Sequence, residues 1–293
     1  MQAFLSDFAL LAIGERLRAI TGGASDLSDF MSPQGDPGLF GPDSVTWRVH
    51  AHFTAMMVGG LSSLVVQSLH PRALSAVWDH SDFRNNLKAR LGRTAYFVAA
   101  TTYGSASLAM RAIGRVNAIH ANIRGTDLEG KPYVANEPAL IRWVHLAEVS
   151  SFLNAYQHLS KKPLTAPECD QYIDEMRHIG HLLGAVDLPA TWQATQEALA
   201  NHRSDLRFDA RAKEILRTIE NYPTDWLDRP FMHLILTSAF DVMPSWTLEL
   251  IEKRASCALQ IHITQAALIA MSEPIQWMLD KQGVRAVSLQ RVS

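Results

Sequence analysis

Cysteine is scarce in this chain: Cys169 and Cys257 are the only two among 293 residues, and neither stands in a CxxC pattern. Two isolated thiols cannot by themselves hold a zinc ion or an iron–sulfur cluster, which are usually bound by four protein ligands. So low a count is typical of a protein from a reducing compartment. We therefore expect two inert thiols and a cytoplasmic protein.

Charge and long apolar runs are also sparse. Charged residues make up 19% of the chain and the formal net charge is -2, which gives no support to a nucleic-acid or anionic-membrane partner. Apolar residues make up 47%, enough for a globular core. No eighteen apolar residues run together, because glycine, serine and glutamine interrupt the longest candidate, residues 56–69. The sequence thus predicts no nucleic-acid partner and no integral membrane segment.

Several well-known catalytic motifs are missing. The chain contains no GxGxxG, GxxxxGK, HExxH or GxSxG pattern. These patterns serve nucleotide binding, zinc proteolysis and serine hydrolysis, so their absence argues against those three chemistries.

Helical periodicity is what the chain has instead. Apolar residues recur at three- and four-residue spacing in eight segments: 45–67, 84–102, 105–124, 138–159, 168–183, 192–201, 210–219 and 259–281. Thr165-Ala-Pro-Glu168 has the form of a capping box, and Gly184 stands where a helix would end. Strand-like alternation is almost absent. The sequence predicts an all-α fold with a single helical domain over residues 44–293.

The segment before that domain has a different composition. Residues 1–20 carry the acids Asp7 and Glu15 and no basic leading region, so they predict an amphipathic helix and not a signal peptide. Residues 22–41 are rich in Gly, Pro, Asp and Ser, which predicts a long arm. We therefore divide the chain into an N-terminal helix and arm (1–43) and the helical domain. Residues 125–133 are expected to form a polar loop.

His120 is the first candidate for chemistry. The apolar residues of its helix would turn the imidazole toward the interior, and a buried neutral imidazole is one way to hold a haem iron. Arg90 and Thr94 are four residues apart and so share one helical face. Helical rise places Thr94 and His120 roughly 10 Å out of level, so the spacing alone does not prove that they face each other. A histidine that merely fills the core is the alternative.

Other candidates carry weaker signals. His145, between Trp143 and Glu148, suits either a partner for a cofactor carboxylate or a hydrogen-bonded residue at a helix crossing. Glu175-Met-Arg-His178 is an ExxH motif, but di-iron carboxylate bundles use two such motifs with further glutamates. His50 and His52 lie two apart, so on a helix they would point to different faces and could not chelate one metal together.

The order of eight short motifs resembles the MpaB/rubber oxygenase family, which includes latex-clearing proteins. The resemblance covers about residues 44–195 and is weaker over the last third of the chain. The motifs that carry it are Trp47-Arg-Val-His50, Gln67-Ser-Leu-His-Pro71, Val77-Trp-Asp-His-Ser-Asp-Phe83, Arg90-Leu-Gly-Arg-Thr94, Val116-Asn-Ala-Ile-His120, Gly125, Gly130-Lys-Pro-Tyr133 and Trp143-Val-His145.

The resemblance implies a globin-like helical core, one haem b and oxidative cleavage of carbon–carbon double bonds with O2. It implies that His120 is the axial iron ligand and that Arg90 and Thr94 form the distal polar pair. Arg93 stands where some members have a lysine, and a guanidinium cannot cap iron as an amine can. No acid upstream of Arg90 clearly matches the family's proposed glutamate base, although Asp79 and Asp82 are nearest.

The cofactor's propionates need polar partners too, and the candidates for these are His145, Arg115 and Arg124, with His145 ranked first. Three hypotheses follow from the sequence. The first is a haem b-dependent oxygenase acting with O2 on a small apolar unsaturated substrate, such as an isoprenoid. The second is a haem protein with non-oxygenase chemistry or a gas-sensing role, and the third is a metal-free helical protein. Homo-oligomerisation is compatible with each hypothesis.

Overall fold

The computed structural model describes residues 27–222 and 224–293, and within them the predicted all-α class is confirmed. The globin-like form of the core stays a prediction. The predicted helix over residues 1–20 lies outside the described residues. The elements are α1 (Val45–His50), α2 (Phe53–Gln67), α3 (Pro71–His80), α4 (Phe83–Tyr103), α5 (Ala106–His120), β1 (Arg124–Thr126), β2 (Pro132–Val134), α6 (Pro138–Leu159), α7 (Ala166–Leu182), α8 (Trp192–Asn201), α9 (Ala210–Glu220), α10 (Arg229–Asp241), α11 (Ser245–Leu250), α12 (Ala258–Gln282) and α13 (Val284–Val292).

Two segments differ from the sequence prediction for local reasons. The predicted helix 45–67 is broken after His50, because His52 leaves the helical conformation and its Nδ1 accepts the Ala55 N–H, so that α2 starts afresh. The expected loop 125–133 contains a short antiparallel hairpin. Its turn is held by the Asp127 carboxylate, which accepts the N–H groups of Glu129 and Lys131.

The centre of the core is the antiparallel pair α2 and α6. Gly59 permits their close approach, since a Cβ there would lie 2.9 Å from both the Phe152 Cα and the Ser151 carbonyl oxygen. Trp143, Leu146 and Leu153 are fully buried along α6. This pair therefore forms a tightly packed foundation for the surrounding helices.

We expect Gly59→Ala to lower the free energy of unfolding by about 1–3 kcal/mol, because overpacking must push the α2 and α6 backbones apart. Gly114→Ala is the matched control: a Cβ at Gly114 meets no atom within 4 Å, so alanine should stabilise α5 by up to about 1 kcal/mol. Urea denaturation measures both variants. Equal changes in the free energy of unfolding for the two variants would show that α2 and α6 can move apart without cost.

No described helix is long and apolar enough to cross a membrane by itself. Helices α2 and α3 pass that test only as a pair, and the chain bends by 105° between them.

The arm before α1 is tied to the last helix. Arg291 on α13 is fully buried and donates to the carbonyl oxygens of Phe30 (2.9 Å) and Asp36 (3.0 Å). The Asp36 carboxylate in turn accepts the Ala106 N–H at 3.1 Å, at the first turn of α5. Carboxylates stabilise helix N-termini in this way. The arm thus fixes the start of α5.

Helices α4 and α5 form a hairpin that stands apart from the central pair. Its turn is Gly104, where a Cβ would lie 2.3 Å from the Ala100 carbonyl oxygen. Asn86 interrupts the first turns of α4 with non-helical angles, and its side chain accepts the Ala89 N–H, so the long part of α4 begins there. Among the described elements, α4 is the one substantial packing partner of α5.

Candidate active site

Arg90 and His120 lie near the same level of the hairpin. Arg90 is fourteen residues before Gly104 and His120 is sixteen after it. At about 1.5 Å per residue the two positions differ by roughly 3 Å along the hairpin axis. Their proximity also shows in the electrostatics, because the Arg90 charge contributes to lowering the pKa of the His120 imidazole, after burial. The hairpin therefore brings these two residues together.

His120 is a half-buried residue on the inner face of the last turn of α5. Ala109 and Ile113 on that face are fully buried, whereas Ile119 beside the histidine is 49% exposed. Neither ring nitrogen of His120 has a hydrogen-bond partner among the described residues, and Nδ1 is buried. A buried imidazole normally finds such a partner. The expected acceptor that would fix its tautomer is not found in the described part of the chain.

An unpartnered ring nitrogen alone does not single out His120. The Nε2 atoms of His158 and His202 are also buried without partners. What distinguishes His120 is that a cation, and no carboxylate, acts on it: Asp241 raises the pKa of His158 and Asp205 that of His202, whereas the charge acting on His120 is that of Arg90.

Arg90 is partly buried. Its Nη1 donates to the Ser81 hydroxyl at 3.1 Å, and desolvation by burial, followed by the neighbouring Arg93 charge, lowers its pKa. The side chain borders a narrow void that has no room for a water molecule. The other walls of this void are apolar apart from Thr218: Leu64, Phe83, Leu87, Ile215 and Ile219. A guanidinium so placed can donate hydrogen bonds into a water-poor space.

Thr94 and Arg93 have a different setting. Both are exposed on α4. The Thr94 hydroxyl donates to the Arg90 carbonyl oxygen at 3.2 Å, one turn back along the same helix. The structure thus places the predicted distal pair on successive turns, with Arg90 inside and Thr94 at the surface.

The three residues predicted to meet a cofactor's propionates lie on three different elements, and no contact among them is found in the described part of the chain. His145 is buried where α6 packs on α7, 3.1 Å from a Cβ built at Gly180, and burial lowers its pKa to about 4. Arg115 is exposed on the outer face of α5, and Arg124 is exposed in β1. The structure does not bring these side chains together.

Glu148 was the acid that sequence reasoning undervalued. It lies one turn after His145 on α6, and burial raises the pKa of its carboxyl group to about 7. No hydrogen bond or ion pair is found for it among the described residues, and it keeps some accessible surface. The signal in the sequence was one acid within an otherwise apolar stretch of α6.

The acids nearest to Arg90 in the sequence have structural roles. The Asp79 carboxylate accepts the Tyr133 hydroxyl at 2.9 Å and lies 3.6 Å from an Arg211 nitrogen. Asp82 is exposed before α4 and accepts the Asn85 amide. No hydrogen bond or ion pair joins either acid to Arg90 in the described part of the chain.

His50 joins the base of the hairpin to α7. Its Nδ1 is 2.7 Å from the Thr102 hydroxyl and its Nε2 is 3.1 Å from the Tyr172 hydroxyl. Burial lowers the pKa of His50 to about 3, so the ring is neutral. Both nitrogens of this imidazole are engaged in contacts between elements of the fold, so His50 has a structural role.

The ExxH motif does not form a metal site in the described ranges. Glu175 accepts the N–H groups of Val45 and Thr46 and the Thr46 hydroxyl, and so caps α1. His178 is exposed. No cluster of three or more His, Cys, Asp or Glu side chains that could bind a metal ion occurs among residues 27–222 and 224–293.

Comparison with known proteins adds one finding. A family model described as "ER-bound oxygenase mpaB/B'/Rubber oxygenase, catalytic domain" matches residues 47–269, about three quarters of the chain. The match includes both Arg90 and His120. No curated protein and no solved structure matched the chain.

Proposed function

This chain belongs to the MpaB/rubber oxygenase catalytic-domain family, and on that premise we propose that it is a haem b-dependent oxygenase. The reaction we propose is the O2-dependent cleavage or oxygenation of a carbon–carbon double bond in an apolar, isoprenoid-like substrate. One observation carries the proposal: within the α4–α5 hairpin, the charge of the partly buried Arg90 acts on the His120 imidazole, of which neither nitrogen is hydrogen-bonded.

The donor set suits a haem. A neutral imidazole is the commonest protein ligand for iron, and burial together with the Arg90 charge lowers the pKa of His120 and so favours the neutral form. His120 would hold the iron, and Arg90 would line the other side of the site.

The space beside Arg90 supports haem binding less well than the side chains do. The void beside Arg90 does not admit even a water molecule, whereas typical ligand sites have volumes of roughly 300–1,000 Å³. A macrocycle would therefore need the hairpin to stand further from the central pair. The sparse packing of α5 on anything but α4 allows such a displacement.

Bound haem would supply the activation of O2. The residues of this chain would supply the surroundings: the Arg90 guanidinium donates hydrogen bonds where negative charge develops, and it acts more strongly because the site excludes water. Leu64, Leu87 and Ile215 give the void apolar walls, which suit a hydrocarbon chain. Arg93 and Thr94, exposed on the same helix, would line the entrance.

His120→Ala tests the proposal. We expect the wild-type protein, produced with added haem, to show a Soret band with about one haem per chain, and the variant to lose at least nine tenths of it. His178→Ala is the control, because His178 is an exposed histidine of the ExxH motif and should keep its full haem content. Absorption spectra and a pyridine haemochrome assay measure both variants.

Two outcomes would redirect the proposal. A wild-type protein without porphyrin absorbance would leave the metal-free helical protein as the conclusion. A haem-loaded protein that never consumes O2 faster than free haem, across a panel of terpenoid and carotenoid alkenes, would favour non-oxygenase haem chemistry or gas sensing.

A further inference from the structure

One side chain in the second half of α5 forms a hydrogen bond to a helix outside the α4–α5 hairpin. Asn117 Nδ2 donates to the Leu182 carbonyl oxygen at 3.0 Å. In the described part of the chain, no other hydrogen bond links the second half of α5 to a helix outside its own hairpin. Since α5 packs substantially on α4 alone, this bond is a main constraint on how its last turns lie.

The acceptor is a group that needs a partner. Leu182 is the last residue of α7, and the carbonyl groups at a helix C-terminus have no partner within the helix. The next two N–H groups are taken elsewhere: Leu183 N–H donates to Ile179 and Gly184 N–H to His181. Asn117 therefore completes the end of α7 while it fixes α5.

Asn117 and His120 share a face of α5. They are three residues apart, about 300° around the helix, so their side chains leave the same side on adjacent turns. The His120 ring has no hydrogen bond of its own to orient it. Its direction therefore depends on the rotation of the helix, and the bond from Asn117 to Leu182 sets that rotation.

We propose that Asn117 is a positioning residue for His120: its bond to the end of α7 holds the imidazole on the inner face, opposite Arg90. That this imidazole serves a haem iron rests on the function proposed above. The positioning of the last turn of α5 by Asn117 is independent of that function.

The chain offers well-matched variants for a test. Asn117→Asp keeps the size of the side chain but removes its donors, and it places a negative charge at the negative end of the α7 dipole. Asn117→Gln keeps the donors on a longer side chain. Asn122→Ala is the control, because the exposed Asn122 amide donates to Ala118, within its own helix end and not to α7.

Two measurements on the full-length chain without haem report the position of α5. Amide hydrogen exchange, resolved by peptides, follows the last turn of α5, and mass spectrometry follows the rate at which diethyl pyrocarbonate modifies His120. We expect about a five- to tenfold rise in both for Asn117→Asp, a smaller rise for Asn117→Gln and no change for Asn122→Ala. A lost hydrogen bond corresponds to changes of this size.

A haem titration then connects the position of the helix to the site. Asn117→Asp should weaken haem binding by at least fivefold, with partial rescue in Asn117→Gln. Wild-type exchange and modification rates in Asn117→Asp, with native circular dichroism, would overturn the proposal. Altered rates in a chain that binds no haem, wild type included, would uphold the positioning role and refute the haem function.

Discussion

Arg90→Ala should lower the turnover number for O2-dependent oxidation by about 100- to 1,000-fold while leaving the Soret band in place. Removing one preorganised donor from a water-poor site typically costs this much. Arg90 borders the void, whereas the proposed bond to the iron comes from His120, so turnover and haem content should change independently. Oxygen-electrode traces and absorption spectra of the same preparation measure both quantities.

Two further variants sharpen this prediction. Arg90→Lys keeps the positive charge but loses the planar fork of donors, so it should recover only part of the rate. Arg111→Ala removes an exposed arginine of α5 and should have the wild-type rate. An Arg90→Ala protein with undiminished turnover would place the reacting atoms away from the void that Arg90 borders.

Glu148→Gln should stabilise the protein above pH 7 by as much as about 3 kcal/mol. Burial raises the pKa of the Glu148 carboxyl group from 4.5 to about 7. Below pH 4.5 both folded and unfolded states are protonated and the group costs nothing. Between pH 4.5 and 7 the unfolded state ionises first, so stability falls as pH rises, and above pH 7 the full cost remains. Glutamine cannot ionise and so removes this dependence.

Urea denaturation of wild type and Glu148→Gln at pH 4.5, 6 and 8 measures the effect. The two curves should nearly coincide at pH 4.5 and separate steadily toward pH 8. Glu197→Gln, at an exposed position of α8, should show no such separation. A constant difference at all pH values would mean that Glu148 acts through packing and not through its charge.

The buried imidazole of His50 should change the stability in the opposite direction with pH. Burial lowers its pKa to about 3, so its contribution to stability is lost as pH falls below 6.5.

Elements with strong local signals were predictable from the sequence. The bounds of α6 and α8 match the predicted segments, because proline at the start of α6 and threonine before α8 mark where each helix begins. The capping box at Thr165 is present, with the Glu168 carboxylate accepting the Thr165 N–H at 2.8 Å. Such signals lie within a few residues of each other and do not depend on the rest of the fold.

Elements whose positions depend on contacts between distant parts of the chain were not predictable from the sequence. Helices α10, α11 and α13 were missed: α11 and α13 are short, and α13 holds its place through Arg291 and the arm more than 250 residues away in the chain. The hairpin at 124–134 depends on one buried carboxylate, Asp127, in a polar stretch without strand alternation. Local periodicity contains no information about either.

In the candidate site, too, some features were predictable from local sequence signals and others depended on distant contacts. The sequence predicted that His120 and Arg90 matter, and helical rise explains why those two, rather than Thr94, end at one level of the hairpin. It did not show the depth of Glu148 or the bond from Asn117 to α7, because both depend on which helices pack together.

The Asp36 carboxylate has a consequence for anyone who shortens this protein. It accepts a hydrogen bond from the first turn of the helix that ends in His120, and Arg291, near the opposite end of the sequence, donates to the backbone carbonyl oxygen of the same residue. A fragment cut to the matched family region, residues 47–269, would lose both of these residues along with the cap. The smallest unit that keeps the helix of His120 anchored must therefore extend beyond that region on both sides.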